Sequence, residues 1–413
     1  MKSLDVDWVR ARFPALSPEL AFFDNAGGSA ACLPVIERVR DHVEKSMVQL
    51  GGTHPWSRDA TAKVAAGHAA AATLLGGEVA DVALTPSTTA SMARLAAAFA
   101  PALEPGDEIV VTDLDHEANI GAFRRLGEGP EARPGVVVRE WRFDEGTQTL
   151  TEEGLRAVLS ERTRLVAFTH CSNVVGALHD VRRLAAVAHE VGARVVVDGV
   201  AFAPHRRVDV SALGVDAYAF SAYKVYGPHL GLLWVASDFR AELTSRNHFF
   251  LPTDTAAYQL EPGSAPHELA VALPGIVEYL EALAAHHGGE GLDDAFALIA
   301  AHEQRLAEPL IEALAGMDGV RVMGPASADA AVRAPTVAFA VDGASPAEIP
   351  PKLDAHGVSL RSGHFYAHRA VERFGLLEKG GLLRASMVHY NTKAEVDRLI
   401  AALRETLVAM LTD

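Results

Sequence analysis

The segment Ala219-Phe-Ser-Ala-Tyr-Lys-Val-Tyr-Gly-Pro228 sets one lysine, Lys224, among small and apolar residues directly after a β-rich run. Taken alone, a surface lysine is the commoner case. A lysine with few charged neighbours, however, is easily desolvated. Its pKa then falls, and the free amine needed to attack a carbonyl becomes available. Upstream, Arg194-Val-Val-Val-Asp-Gly199 ends three valines on a carboxylate, Asp198. A carboxylate at a strand's buried end is costly without a cationic or hydrogen-bonding partner. A helix N-cap is the ordinary role for such a residue; pairing with a protonated ring nitrogen is another.

Outward from these two segments, short β-rich runs alternate with longer Ala/Leu-rich stretches of helical period. The runs are Asp107–Thr112, Val136–Val138, Thr163–Thr169, Arg194–Asp198 and Ala217–Phe220; Ser91–Leu103 and Val181–Val191 read as helices. Strands without strict alternation, separated by helices, read as βαβ units of a parallel sheet covered on both faces. The fold class is therefore α/β, and ligands of such sheets sit beyond the carboxyl ends of the strands. From about Ala265 the texture changes. Helical stretches over Glu268–Leu283 and Leu292–Leu314 precede strand-like Gly319–Met323, Thr336–Val341 and Val358–Arg361, and a last helix follows Asn391. A bend at Glu261-Pro-Gly-Ser264 marks the change. The expected division is a large domain over 20–265 and a small α+β domain from 1–19 and 266–413.

A chain of 413 residues has ample length for two such cores. Its net charge of -16 disfavours nucleic acid and anionic membranes, which need clustered Lys/Arg. Two cysteines, Cys32 and Cys171, make no disulfide framework and suit a reducing compartment. The start, Met-Lys-Ser-Leu-Asp-Val-Asp-Trp, carries no apolar leader core, and no uninterrupted apolar run of about 18 residues is read as a membrane span. A cytoplasmic location is expected, and no metal is called for.

Val-Asp-Gly followed by Phe-Ser-x-x-Lys-x-Tyr-Gly-Pro resembles the class V aminotransferases and, within them, the cysteine desulfurase and selenocysteine lyase-like group. The likeness runs nearly end to end. Phe23-Asp-Asn-Ala-Gly27 resembles the family's opening strand and turn, Thr85-Pro-Ser-Thr-Thr89 its phosphate loop, and His116-Glu-Ala-Asn119 its cofactor-stacking motif. Ser172-Asn-Val-Val-Gly176, Arg361-Ser-Gly-His364, Leu383-Arg-Ala-Ser386 and Tyr390-Asn-Thr392 complete it. The resemblance implies fold type I of the pyridoxal 5′-phosphate (PLP) enzymes. That is a large, mainly parallel seven-stranded sheet domain plus a smaller C-terminal α+β domain.

It also implies roles. Lys224 would carry PLP as a Schiff base, and Asp198 would hold the proton on the ring nitrogen, which makes the ring an electron sink. Ser87, Thr88 and Thr89 precede a helix whose free N–H groups suit phosphate; a plain Ser/Thr cap is the alternative. Ser221 and Tyr223 would add donors. His116 would stack on the ring and move protons. Asn173 would sit near the ring oxygen or the substrate carboxylate. Arg384 would bind the substrate α-carboxylate through its planar fork, with Arg361 as a weaker second. His54 and Arg58 would line the entrance. Ser264 would cross from a partner subunit, implying a homodimer with shared sites.

Three departures stand out. Cysteine desulfurases place a nucleophilic cysteine shortly after Arg-x-Gly-His; here that position is Tyr366. A phenol does not replace a thiolate attacking sulfur. Ala201 stands where the family often has Gln, and Tyr223 where it often has His. The expected activity is β-carbon–sulfur cleavage of cysteine or an S-substituted cysteine without a protein thiol. The alternatives are an epimerase or aminotransferase of the same family, or a non-catalytic PLP-binding protein.

Overall fold

The valine-rich runs form strands because branched side chains pack well on both faces of a pleated, covered sheet. In the computed structural model, residues 3–412 are described. Met1 and Lys2, from the start noted above, and Asp413, the end of the small-domain range, lie outside them. The first two strands are β1 (Ala21–Phe22) and β2 (Val82–Thr85). Next come β3 (Glu108–Thr112), β4 (Val137–Trp141) and β5 (Thr163–Thr169). The strands β6 (Arg194–Asp198), β7 (Ala217–Ser221) and β8 (Gly231–Val235) follow. Seven of these eight form one sheet in the order β2-β8-β7-β6-β5-β3-β4. Only β8 runs against its neighbours; the β7-β6-β5-β3-β4 pairs are all parallel.

Alternate residues of one strand feed opposite apolar layers. On β6, Val195 and Val197 join one core cluster and Val196 the other. All three are fully buried. Each contributes about 1.5–3 kcal/mol of burial, so Val196→Asp would break the sheet's second layer. Helices Thr88–Phe99, Glu117–Arg124 and Val181–His189 link the strands and cover the faces.

The C-terminal part supplies β9 (Val320–Val322), β10 (Thr336–Val341), β11 (Val358–Ser359), β12 (Arg361–Gly363) and β13 (Leu382–Ser386). A four-stranded sheet runs β12-β13-β10-β9, and β1 pairs with β11 in parallel. Two expectations need correction. The helix expected over Glu268–Leu283 is two, His267–Ala270 and Leu273–His286. Pro274 has no N–H to continue the first and takes the opening turn of the second, where none is needed. The single strand expected over Val358–Arg361 is divided at Leu360 between β11 and β12, which lie in different sheets. Two strands of the large sheet, β2 and β8, had no counterpart in the pattern of runs. By length and composition His267–His286 could cross a membrane, but 56% of its apolar window is buried inside the molecule.

Candidate active site

Five strands deliver side chains to one place beyond their carboxyl ends. From β2 the chain turns into helix Thr88–Phe99, whose N-cap Ser87 accepts the Ala90 N–H at 3.1 Å. Thr88 Oγ1 and Ser221 Oγ, after β2 and at the end of β7, meet at 2.8 Å. The loop comes this close because Gly231 on β8 has no side chain. A Cβ there would lie 2.5 Å from the Ser87 carbonyl carbon. First-turn N–H groups and two hydroxyls thus face one small volume, a ready anion cradle.

Asp198 ends β6 and is buried. Its Oδ1 accepts the Val200 N–H at 2.8 Å, and Oδ2 has no hydrogen bond among the described residues. Burial raises its pKa to about 6, against the Val200 bond and the Lys224 charge. Lys224 closes the short turn Ala222–Lys224 that follows β7. It is buried, its amine 5.9 Å from the Tyr223 ring centre and without a hydrogen bond or ion pair among the described residues. Burial, and then Arg384, lower its pKa to about 8, while Asp198 and Asp24 act the other way. The unshifted amine would be about three hundredfold less available at neutral pH.

His116 follows β3 as N-cap of helix Glu117–Arg124; its Nδ1 accepts from the Ala118 N–H at 3.0 Å. An accepting Nδ1 leaves the ring proton on Nε2. Burial and the charges of Lys224 and Arg384 hold its pKa down at about 3, so the ring is neutral at ordinary pH. Asn173, in the loop after β5, donates Nδ2 to the Phe365 carbonyl at 2.9 Å, and its own carbonyl accepts from Arg384 Nη1 at 2.9 Å.

These residues line two adjoining cavities. The inner, about 70 Å³, is bounded by Ser87, Thr88, Thr89, Asp198, Ala201 and Ser221. The outer, about 320 Å³, is bounded by Arg361, His364, Phe365, Tyr366 and Arg384. His116, Asn173, Tyr223 and Lys224 belong to both. Arg384 is buried on β13, and Arg361 on β12 is exposed. Tyr366 stacks towards His116, ring centres 5.2 Å apart, on a left-handed backbone at φ 59°.

Three expected residues are not brought in. His54 is exposed and caps helix Pro55–Leu75, its Nδ1 accepting from the Ser57 N–H; Ser264 is exposed beside His267. Neither lines either cavity. Arg58, beside His54, bonds the Thr53 carbonyl instead. Asp24, Phe365 and His364 had no role assigned from the sequence, although Asp24 and His364 stand inside quoted motifs.

PLP carries a phosphate, a ring nitrogen that can hold a proton and an aldehyde. The hydroxyl-lined helix start, the free Asp198 oxygen and the unpartnered amine of Lys224 answer the three in turn, within one cavity. The residues fit the cofactor.

Comparison with known proteins agrees with that chemistry. The model of the family "Aminotransferase class-V" matches residues 21–399. The "Aminotransferase-like protein FGM3" of Gibberella zeae is 39% identical, covering 98% of this chain and 99% of its own. The "Probable cysteine desulfurase 2" of Mycobacterium leprae is 32% identical over 98% of this chain and 97% of its own. The crystal structure of the cysteine desulfurase CsdA from Escherichia coli superposes with a TM-score of 0.85 at 26% identity, covering 99% of this chain and all of that one. With sheet order, site geometry and sequence in accord, the chain belongs to the class V aminotransferase family, a family of PLP-dependent enzymes.

Proposed function

We propose that the protein cleaves the β-carbon–sulfur bond of cysteine or an S-substituted cysteine without forming a persulfide on itself. One observation carries this. The cavity holds a complete lysine, aspartate and arginine set, but no thiol able to ionise. Cys171 borders the inner cavity and Cys32 lies elsewhere; burial pushes both thiols up to about 12. At the outer cavity, where a thiol would meet substrate, stands Tyr366.

Bound PLP supplies an electron sink for negative charge at the substrate α-carbon. The chain's own groups do the rest. Thr88, Ser221, Ser87 and Thr89 hold the phosphate, with Tyr223 at the rim. Asp198 keeps a proton on the ring nitrogen. Arg384, with Arg361, takes the α-carboxylate, while Asn173 and neutral His116 confine the reacting centre. Lys224 Nζ takes the α-proton and passes it to the departing sulfur. Loss of the β-substituent as thiol, followed by water, leaves pyruvate and ammonia.

A homodimer with shared sites belongs to the same proposal, with Ser264 contributed to the partner's cavity. Phe249 and Phe250, 99% and 70% exposed, are apolar surface that a partner would cover. Division of the chain near residue 265 and a cytoplasmic location are carried with it.

The test is to incubate the PLP-loaded enzyme with cysteine, cystine and S-alkylcysteines. Pyruvate and thiol or sulfide should appear in equal amounts. α-Proton exchange in heavy water without pyruvate would instead mark an epimerase or aminotransferase. A visible band unchanged by every amino acid would mark a non-catalytic PLP-binding protein.

A further inference from the structure

Arg361 and Arg384 face each other across the β12–β13 pair, in direct register. Like charges placed so are destabilising unless something lies between them. Asp24 does. Its Oδ1 accepts from Arg384 Nη2 at 3.1 Å, and its Oδ2 makes an ion pair with Arg361, 3.0 Å from Nε. The carboxylate is held in place from behind. The Phe23 N–H donates to the Ser359 carbonyl and the Ser386 N–H to the Phe23 carbonyl, both at 2.7 Å. Asn25 Nδ2 donates to the Ser386 carbonyl at 2.9 Å. Gly27 leaves the room, since a Cβ there would stand 2.8 Å from Asp24 Oδ2.

The two arginines are not equivalent. Arg384 has 3% of its side chain exposed and Arg361 58%. Arg384 spends Nη1 on the Asn173 carbonyl and Nη2 on Asp24, and lies 4.1 Å over the Phe365 ring. Its Nε is buried and has no hydrogen-bond partner among the described residues. Lys224 also borders this cavity; with its amine committed to the cofactor in the PLP-loaded enzyme, two guanidinium charges and one carboxylate leave a surplus of one positive charge on the outer cavity wall. Among the described residues no carboxylate lines that cavity, Asp24 included.

We infer that Asp24 is a positioning residue which clamps both arginines and sets the outer cavity's charge to accept one carboxylate. The inference rests on the proposed amino-acid site but not on the fate of the substrate's β-substituent. It concerns how the carboxylate end is read. A substrate with a single anionic group matches the surplus; a second anion meets no remaining positive charge.

The test uses the PLP-loaded enzyme and two probes, propionate with one carboxylate and malonate with two. Binding is measured by calorimetry, so it needs no turnover. Asp24→Asn removes the negative charge with little change of shape. It should weaken propionate about tenfold through lost positioning, and shift the malonate-to-propionate preference about tenfold towards malonate. Asp24→Glu should return the preference towards that of the parent. Arg361→Met, which leaves Arg384 and Asp24 balanced, should weaken both probes; this variant removes an exposed side chain and serves if Asp24→Asn does not fold. Equal weakening of both probes in Asp24→Asn, or an unchanged preference, overturns the inference. So does unaltered binding in Arg361→Met. If no amino acid is turned over but the preference shifts, the reaction assignment fails and Asp24 keeps its role.

Discussion

At the inner end of the cavity, Thr88, Asp198, Ser221 and Lys224 stand at or just past strand ends of one sheet, all buried. At the outer end, Arg361, His364 and Tyr366 are exposed, on an edge strand of another sheet and the loop behind it. Phe365 and Tyr366 there hold left-handed backbone at φ 51° and 59°, a cost of order 1–3 kcal/mol each. Hydrogen bonds from Asn173 Nδ2 and the Glu117 N–H to their carbonyls keep them there. The inner end stores its cost as buried charge, the outer end as bent backbone. Cofactor chemistry needs groups that do not move, and the buried inner end supplies them.

The comparison breaks most visibly at the lysine. Lys224→Ala should lower kcat by about a thousandfold or more, since it removes the proton carrier. A milder loss, measured by steady-state turnover, would place the proton transfer on another group.

Asp198→Asn should lower kcat by about a hundredfold and weaken PLP binding, yet stabilise the PLP-free chain at neutral pH. The folded pKa of about 6 lies above the ordinary 3.8. Its contribution is therefore fully present below 3.8 and lost as pH rises through 6. Melting temperatures from pH 4 to 8 should fall in the parent more than in the variant.

Arg384→Lys should raise KM about tenfold to a hundredfold with a smaller change in kcat, because an ammonium cannot serve Asn173, Asp24 and a carboxylate as a planar fork does. Equal losses in kcat and KM terms would move Arg384 from binding into the chemical step. Tyr366→Phe is the smallest: kcat within about twofold, since the phenol makes no hydrogen bond among the described residues and its ring would remain beside His116. A large kcat loss in this variant would give the hydroxyl a part in the reaction.

The two ends also differed in legibility. Asp198 and Lys224 were readable because each is a lone polar residue beside an apolar strand, where burial forces a reason for it. The β6, β5 and β10 runs were readable in full for their valines and length. Arg361 and Arg384 were readable through short motifs, but not as cross-strand partners, because register is a long-range property. Asp24 escaped because Arg384 is 360 residues away in the chain. β2 has only four residues and β8 opens on glycine, patterns that periodicity alone does not separate from helix or turn. The left-handed Phe365 and Tyr366 carry no glycine to announce them. His54 and Ser264 stand outside both cavities.

The inner end rests on one amine, and capture of PLP tests it most directly. The PLP-free chain is mixed with PLP at a series of pH values, reduced with borohydride and mapped by peptide mass. The label should fall on Lys224, with capture quickening about tenfold per pH unit up to about 8 and then levelling. A colourless mixture, or a label spread over exposed lysines and absent from position 224, would contradict the account.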